Sequence, residues 1–187
     1  MIFSLILFLT PELWQVFAAL PDQSLLLLVA LFMLLGSAFL IARIPHEVAD
    51  LEREAGAVGP PLKQRQRVNV GLVLFVSQSL QVLLVALAVA VFFVIFGLLT
   101  ISADTVSSWT THPADVLFEF HLAGREAAMT KELLRVAVAI ASFTGLYFAI
   151  SMLTDDLYRR EFLNRITDEM KQTFTRRAAY LKLLGKS

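Results

Sequence analysis

The residue types that carry out chemistry are few in this chain, and they are spread out. His112, Asp115, Glu119 and His121 fall close together in one polar stretch. Imidazoles and carboxylates are the ligands that zinc takes, and on a strand Glu119 and His121 share a face. The stretch lacks an H-E-x-x-H arrangement, so its residues read as solvated loop positions. Asp155 and Asp156 in "DDLYR" invite comparison with membrane enzymes that hold a magnesium diphosphate, but no third aspartate and no second cluster follow. With Thr154 they make a favourable helix start instead. "ASFTG" is no nucleophile elbow, and no glycine loop is present to cradle a phosphate. There is no cysteine, which excludes disulfides, thiol catalysis and cysteine-ligated metals. The sequence thus assigns no catalytic, cofactor-binding or metal-binding residue and calls for no cofactor.

Three sets of residues suit contacts rather than reactions. Gln78 and Gln81, in "SQSLQ", share a helix face and can line a pore or hold a partner, although glutamine beside lipid head groups needs no special role. Lys63, Arg65 and Arg67 in "KQRQR", with Arg176, Arg177 and Lys182 near the end, can meet anionic head groups. The same charges suffice as determinants of topology. Ala137, Ala141, Gly145 and Ala149 recur every four positions, as do Ala86 and Ala90, and Ala38 and Ala42. Such stripes let helix backbones approach closely in lipid, within one chain or between chains.

The elements that must carry these residues follow from hydropathy. Apolar residues make up 57% of the 187, and mean hydropathy is +0.70. A globular interior of this size cannot hide so much apolar surface. Charge is absent from Gln23 to Ala42, from Val68 to Ala103 and from Val136 to Thr154. A hydrocarbon core of ~30 Å needs about 20 helical residues, so each run can span a bilayer. Val82 to Ile101 alone suffices for the middle span. Fifteen of its residues are Leu, Ile, Val or Phe, worth roughly −5 to −9 kcal/mol of insertion as an upper bound. Val68 to Gln81 then forms a less apolar extension at the head groups.

Orientation follows from Lys and Arg. Three spans with the N-terminus outside place thirteen of the sixteen basic residues on the cytoplasmic side, the side they favour. Net charge is zero, and nothing points to nucleic acid. The apolar cores contain no ionisable residue, which argues against a proton-coupled transporter, pump or voltage sensor.

The expected architecture is all-α, an integral membrane protein with three transmembrane helices. Residues 1–22 form an interfacial or re-entrant helix, or the remnant of a span, capped by Thr10, with Pro11 in its first turn and Trp14 as an interfacial anchor. The first span covers 23–43. A cytoplasmic link, 44–67, holds a separate short helix and a "GAVGPP" break. The second span with its extension takes 68–102, and 103–133 lies outside. There "DTVSSW" starts a short helix after Ser102, and "VLFEFHL" alternates as a strand that must pair with another chain, pack on a helix or turn helical. Thr130 and Glu132 open the third span, 134–154. The tail, 155–187, reads as a cytoplasmic amphipathic helix, with Phe162, Ile166, Met170, Phe174 and Leu181 on one stripe.

The stretch "TGLYFAISMLTDDLYRREFLNRITDEMKQTFTRRAAYL", with "VLFVSQSLQVLL" before it, resembles an uncharacterised family of multi-spanning membrane proteins of actinobacteria. The resemblance covers about residues 5–182 and implies a bacterial inner membrane. It also implies longer relatives with more sequence before "LFLTPELWQVF". It brings no substrate, cofactor or catalytic residue. The functional expectation is a non-enzymatic accessory or scaffold subunit in contact with lipid, assembling as a homo-oligomer or with another membrane protein. The alternatives are an oligomeric small-pore or transport component, or a membrane enzyme.

Overall fold

The computed structural model of the protein describes residues 2–55, 63–122 and 124–154, together with Gln172, Thr175, Arg176 and Ala179. The elements run α1 (Ile2–Phe8), α2 (Pro11–Ala19), α3 (Asp22–Ala55), α4 (Gln64–Thr100), α5 (Ala103–Thr110), β1 (Val116–Leu122), β2 (Arg125–Thr130) and α6 (Lys131–Thr154). Among the described residues the fold is mainly helical, with one hairpin. Three helical stretches are long and apolar enough to cross a membrane: Asp22–Ala49, Gln64–Thr100 and Lys131–Met152. The amphipathic helix expected over 155–187 lies outside the described residues, apart from four exposed helical positions, Gln172, Thr175, Arg176 and Ala179.

Two helices are longer than their apolar runs require. α3 has 34 residues and α4 has 37, about 51 and 56 Å at ~1.5 Å per residue. The separate short helix expected after Arg43 is a continuation of α3, which passes through Pro45 without ending. Proline removes one main-chain donor and crowds the preceding turn. The helix continues because the turns beyond it are held by α4. Val48 packs on Leu74, with Ile44 and Val70 against them. Arg67 forms a 2.6 Å ion pair with Glu52. Gly71 sits where a Cβ would lie 3.0 Å from Ile44 Cγ2, so its lack of a side chain admits the neighbouring helix. These contacts belong to one of two compact units, formed by Gly36–Gln81 and Phe148–Ser187.

The other unit comprises Met1–Leu35 and Val82–Tyr147. Its core gathers Phe8, Trp14, Phe93, Leu133, Val136 and Ile140. α1 and α2 have seven and nine residues, each far short of the ~20 that a span needs. Proline at the first turn of α2 separates them, since it cannot continue α1. Thr10 takes the extended backbone of a cap, but its hydroxyl donates back to the Ile6 carbonyl at 2.9 Å rather than capping α2. Trp14 departs from its expected place as an interfacial anchor. Its ring is fully buried, edge-on to Phe8 and Trp109, and Nε1–H donates to the Phe8 carbonyl at 2.7 Å. An indole satisfied in this way by its own chain has neither edge left for head groups.

Outside the long helices, Ser102 caps α5 by accepting from Thr105 N at 3.2 Å. The alternating stretch is a strand, and its partner is β2 of the same chain. Glu119 faces Ala128, Phe120 faces Ala127 and His121 faces Glu126, with an irregularity between Val116 and Phe118. Gly124, at φ +78°, supplies the left-handed residue of the turn. A two-stranded hairpin is marginal alone, and its open end is tied to the start of α6. Lys131 N donates to the Asp115 carbonyl at 2.9 Å, and both oxygens of the Glu132 carboxylate accept from Asp115 N. Thr130 Oγ1 in turn accepts from Leu133 N at 3.2 Å.

Replacing Trp14 with Ala removes both a large buried ring and the donor to Phe8. A loss of about 3–5 kcal/mol is expected, read as a lowered midpoint of thermal unfolding in detergent. Trp14→Phe should keep part of that stability. An unchanged midpoint for Trp14→Ala would place the ring outside the core.

Candidate functional site

A polar side-chain contact joins the two longest helices, α3 and α4. Gln78 is fully buried. Its Nε2 donates to Glu47 Oε2 at 2.8 Å, a charge-assisted bond that is strong where water is scarce. Its Oε1 has no partner among the described residues, and neither has the enclosed Oε1 of Gln81. A buried amide oxygen left unpaired is costly. Glu47 lies one turn beyond the charge-free run that ends at Ala42, so the run itself gives no sign of this carboxylate. The alternation of "SQSLQ" draws attention to Gln78 but not to its partner on another helix.

The small-residue stripe of α6 is enclosed by the chain itself. Ala137 and Ala149 are fully buried, and Ala141 is 5% exposed. A Cβ on Gly145 would lie 3.1 Å from Ala86 Cβ, so α6 and α4 meet there through the smallest side chains available. Gly97 of α4 plays a similar part, because a Cβ there would collide with Leu133 Cδ1. By contrast, Ala38 and Ala42 of α3 are exposed.

A charged clamp draws together α2, α3 and α6. Arg135 Nη1 donates to the Ala18 carbonyl at 2.9 Å, at the last turn of α2, where a cation favours the helix dipole. Its Nη2 pairs with Asp22 Oδ1, and Lys131 Nζ reaches Asp22 Oδ2 at 3.1 Å. Lys131 and Arg135 stand four residues apart on α6, and their common partner lies 113 residues before Arg135.

The remaining positions stay at the surface. Lys63 just before α4, and Arg65 and Arg67 in its first turn, are exposed, with Arg67 held by Glu52. Arg176 is exposed, while Arg177 and Lys182 lie outside the described residues. His112, Asp115, Glu119 and His121 are exposed too. His121 faces Glu126 across the hairpin at 3.9 Å, and no group of three potential ligands converges among the described residues. Asp155 and Asp156 lie outside them. No protein-family model, curated protein or solved structure matches the chain.

Gln78→Leu takes the amide donor from Glu47 within an apolar contact. It should cost about 1–3 kcal/mol, measured by thermal or denaturant unfolding in detergent. Gly145→Leu forces α6 away from Ala86, and a loss of about 1–3 kcal/mol is expected from overpacking. Unaltered stability in both variants would mean that these helix contacts do not form.

Proposed function

We propose that the protein is a non-enzymatic integral membrane accessory or scaffold subunit of a bacterial inner membrane. α3, α4 and α6 cross the bilayer, the N-terminus lies outside, and the basic tail is cytoplasmic. Its working surface is a helix face offered to another membrane-embedded chain, either a second copy or a different protein. Membership in the actinobacterial family that the sequence resembles belongs to the same reading.

The observation that carries it is the exposure of α3. Leu26, Leu27 and Leu34 are 69–70% exposed, and Met33 is 62% exposed. Ala38 and Ala42 follow on the same helix, both exposed. Among the described residues nothing covers these side chains, which suits a face that meets lipid or a neighbouring helix. Since the α6 stripe is enclosed, α3 is the face through which a second chain can approach closely. An oligomeric pore is less well supported, because Gln78 is enclosed against Glu47 rather than facing an open wall.

Cross-linking in native membranes should trap a homo-oligomer or a second protein. The double variant Ala38→Leu and Ala42→Leu should abolish that product without lowering the stability of the monomer, because both positions are exposed. An undiminished product, or a monomer that never cross-links, would count against assembly through α3. Orientation is tested separately. The chain has no cysteine, so Ser187→Cys gives a single thiol. That thiol should resist impermeant reagents in intact cells and react once the cells are opened.

A further inference from the structure

The strand β1 does not keep one register along its whole length. Val116 faces Thr130 and Phe118 faces Met129, so two steps on β1 match one on β2 and Leu117 is an extra residue. In an unbroken strand packed on one face, neighbours turn alternately to core and solvent. Here Val116, Leu117 and Phe118 are all exposed, at 36%, 43% and 71%. Farther along the two strands the exposed positions are Glu119, His121 and Glu126, while Ala127 is buried. The exposed side chains of the strands are thus apolar at the open end of the hairpin and charged or polar toward its turn.

The open end has a fixed place beside α6. β2 ends at Thr130 and α6 begins at Lys131, with no residue between them. The bonds from Asp115 to Lys131 and Glu132 close the other strand onto the same turn. One cross-strand step of ~5 Å and two residues of ~3.3 Å each keep the Phe118 Cα within about 12 Å of the Lys131 Cα. Lys131 and Arg135 both pair with Asp22 there, and the charge-free run of α6 starts at Val136. If α6 spans the bilayer, this charge cluster marks the level of the head groups.

That level selects the partner. A lipid–water boundary requires apolar groups near the point where a spanning helix enters and charged groups farther from it, which is the order found along the hairpin. Phenylalanine and leucine are among the side chains that interfacial segments bury, ~5–10 Å into the boundary between head groups and acyl chains. Trp14, which residue type assigns to that role, is buried in the core. Addition of another strand to β1 is disfavoured, because the extra residue interrupts the edge that a new strand would need.

We propose that the open end of the hairpin rests on the bilayer, with Leu117 and Phe118 entering the boundary between head groups and acyl chains in the leaflet where α6 begins. The contact holds the start of α6 at one depth. The inference rests on the membrane reading above, but not on assembly through α3.

The test uses the full chain reconstituted into phosphatidylcholine vesicles. Leu117→Cys, His121→Cys and Leu34→Cys each give the single thiol in the chain, labelled with a nitrobenzoxadiazole fluorophore. Quenching by lipids brominated near the head-group end of the acyl chains is compared with quenching by iodide on both sides of the membrane. The label at 117 should be quenched several-fold more by the brominated lipids than by iodide, and the label at 121 should show the reverse. Adding Phe118→Asp to the Leu117→Cys chain should raise iodide quenching several-fold. It should leave the thermal midpoint unchanged, because Phe118 is exposed. Iodide quenching at 117 as strong as at 121 would place the open end in water. A label at 117 that neither quencher reaches would mean that protein, such as a second copy, covers it. Indifference of that label to Phe118→Asp would mean that the ring is not the anchor. Each of these results would overturn the proposal. The label at 34 keeps the two readings apart. If lipids brominated in mid-chain quench it while 117 fails, the hairpin contact alone is lost. If they do not quench it, the membrane reading is lost as well.

Discussion

The constraint on which the architecture depends is apolar surface that the described residues leave uncovered. On α3, residues such as Leu26, Leu27 and Leu34 stay more than two-thirds exposed, and on α4, Leu83, Leu84 and Leu87 are more than half exposed. In water, each side chain of this kind would forgo roughly 1.5–3 kcal/mol of burial. Surrounded by hydrocarbon, the same surfaces are at no disadvantage, and the backbone demands are met inside each helix. The placement of charge agrees with that surrounding. Arg135, Lys131 and Asp22 gather where α3 and α6 begin. Glu52 and Arg67 pair on the two helices that flank residues 56–62.

Within each compact unit, a different device supplies cohesion. If lipid surrounds the helices, as proposed, burying another leucine brings little hydrophobic gain, and close packing and polar contacts do more. The unit containing the chain's first residues relies on interlocked rings: Phe8 lies 4.8 Å from Phe93 and 5.4 Å from Trp14, centroid to centroid. Glycine and alanine let α4 and α6 approach closely there. The unit containing the second part of α3 has a small apolar cluster, Val48 and Leu74. It adds the bond between Gln78 and Glu47 and the ion pair between Glu52 and Arg67. Polar contacts of this kind also fix which helix faces meet, since any rotation leaves a buried amide or carboxylate without its partner.

The legible part of the fold was the part governed by composition along a single helix. The three long apolar helices could be read from their charge-free runs, because the demand for about 20 apolar residues is local. Helix α5 could be read from Ser102 and the acidic first turn that follows. What escaped depended on contacts between segments. α3 continues past Arg43 because α4 supports it, and Pro45 together with a run of charges concealed that continuation. β2 escaped because "REAAMT" is rich in residues that favour helix, and only its pairing with β1 makes it a strand. Residue type alone points Trp14 to the interface, whereas its surroundings are set by Phe8 and Trp109, from two other elements. Gln78 stood out in the sequence, but its contact with Glu47 crosses 31 residues and leaves no periodic trace.

The most direct measurement is the accessibility of α3 to apolar and polar collision reagents. Nitroxide labels on Leu27→Cys and Leu34→Cys, each the single thiol in the chain, would be compared with one on Lys63→Cys after reconstitution into vesicles. With hydrocarbon around α3, oxygen relaxes the labels at 27 and 34 strongly and a water-soluble nickel chelate hardly at all, while the label at 63 shows the reverse. If the chelate reaches position 34 as readily as position 63, α3 lies in water and the membrane-spanning arrangement is contradicted.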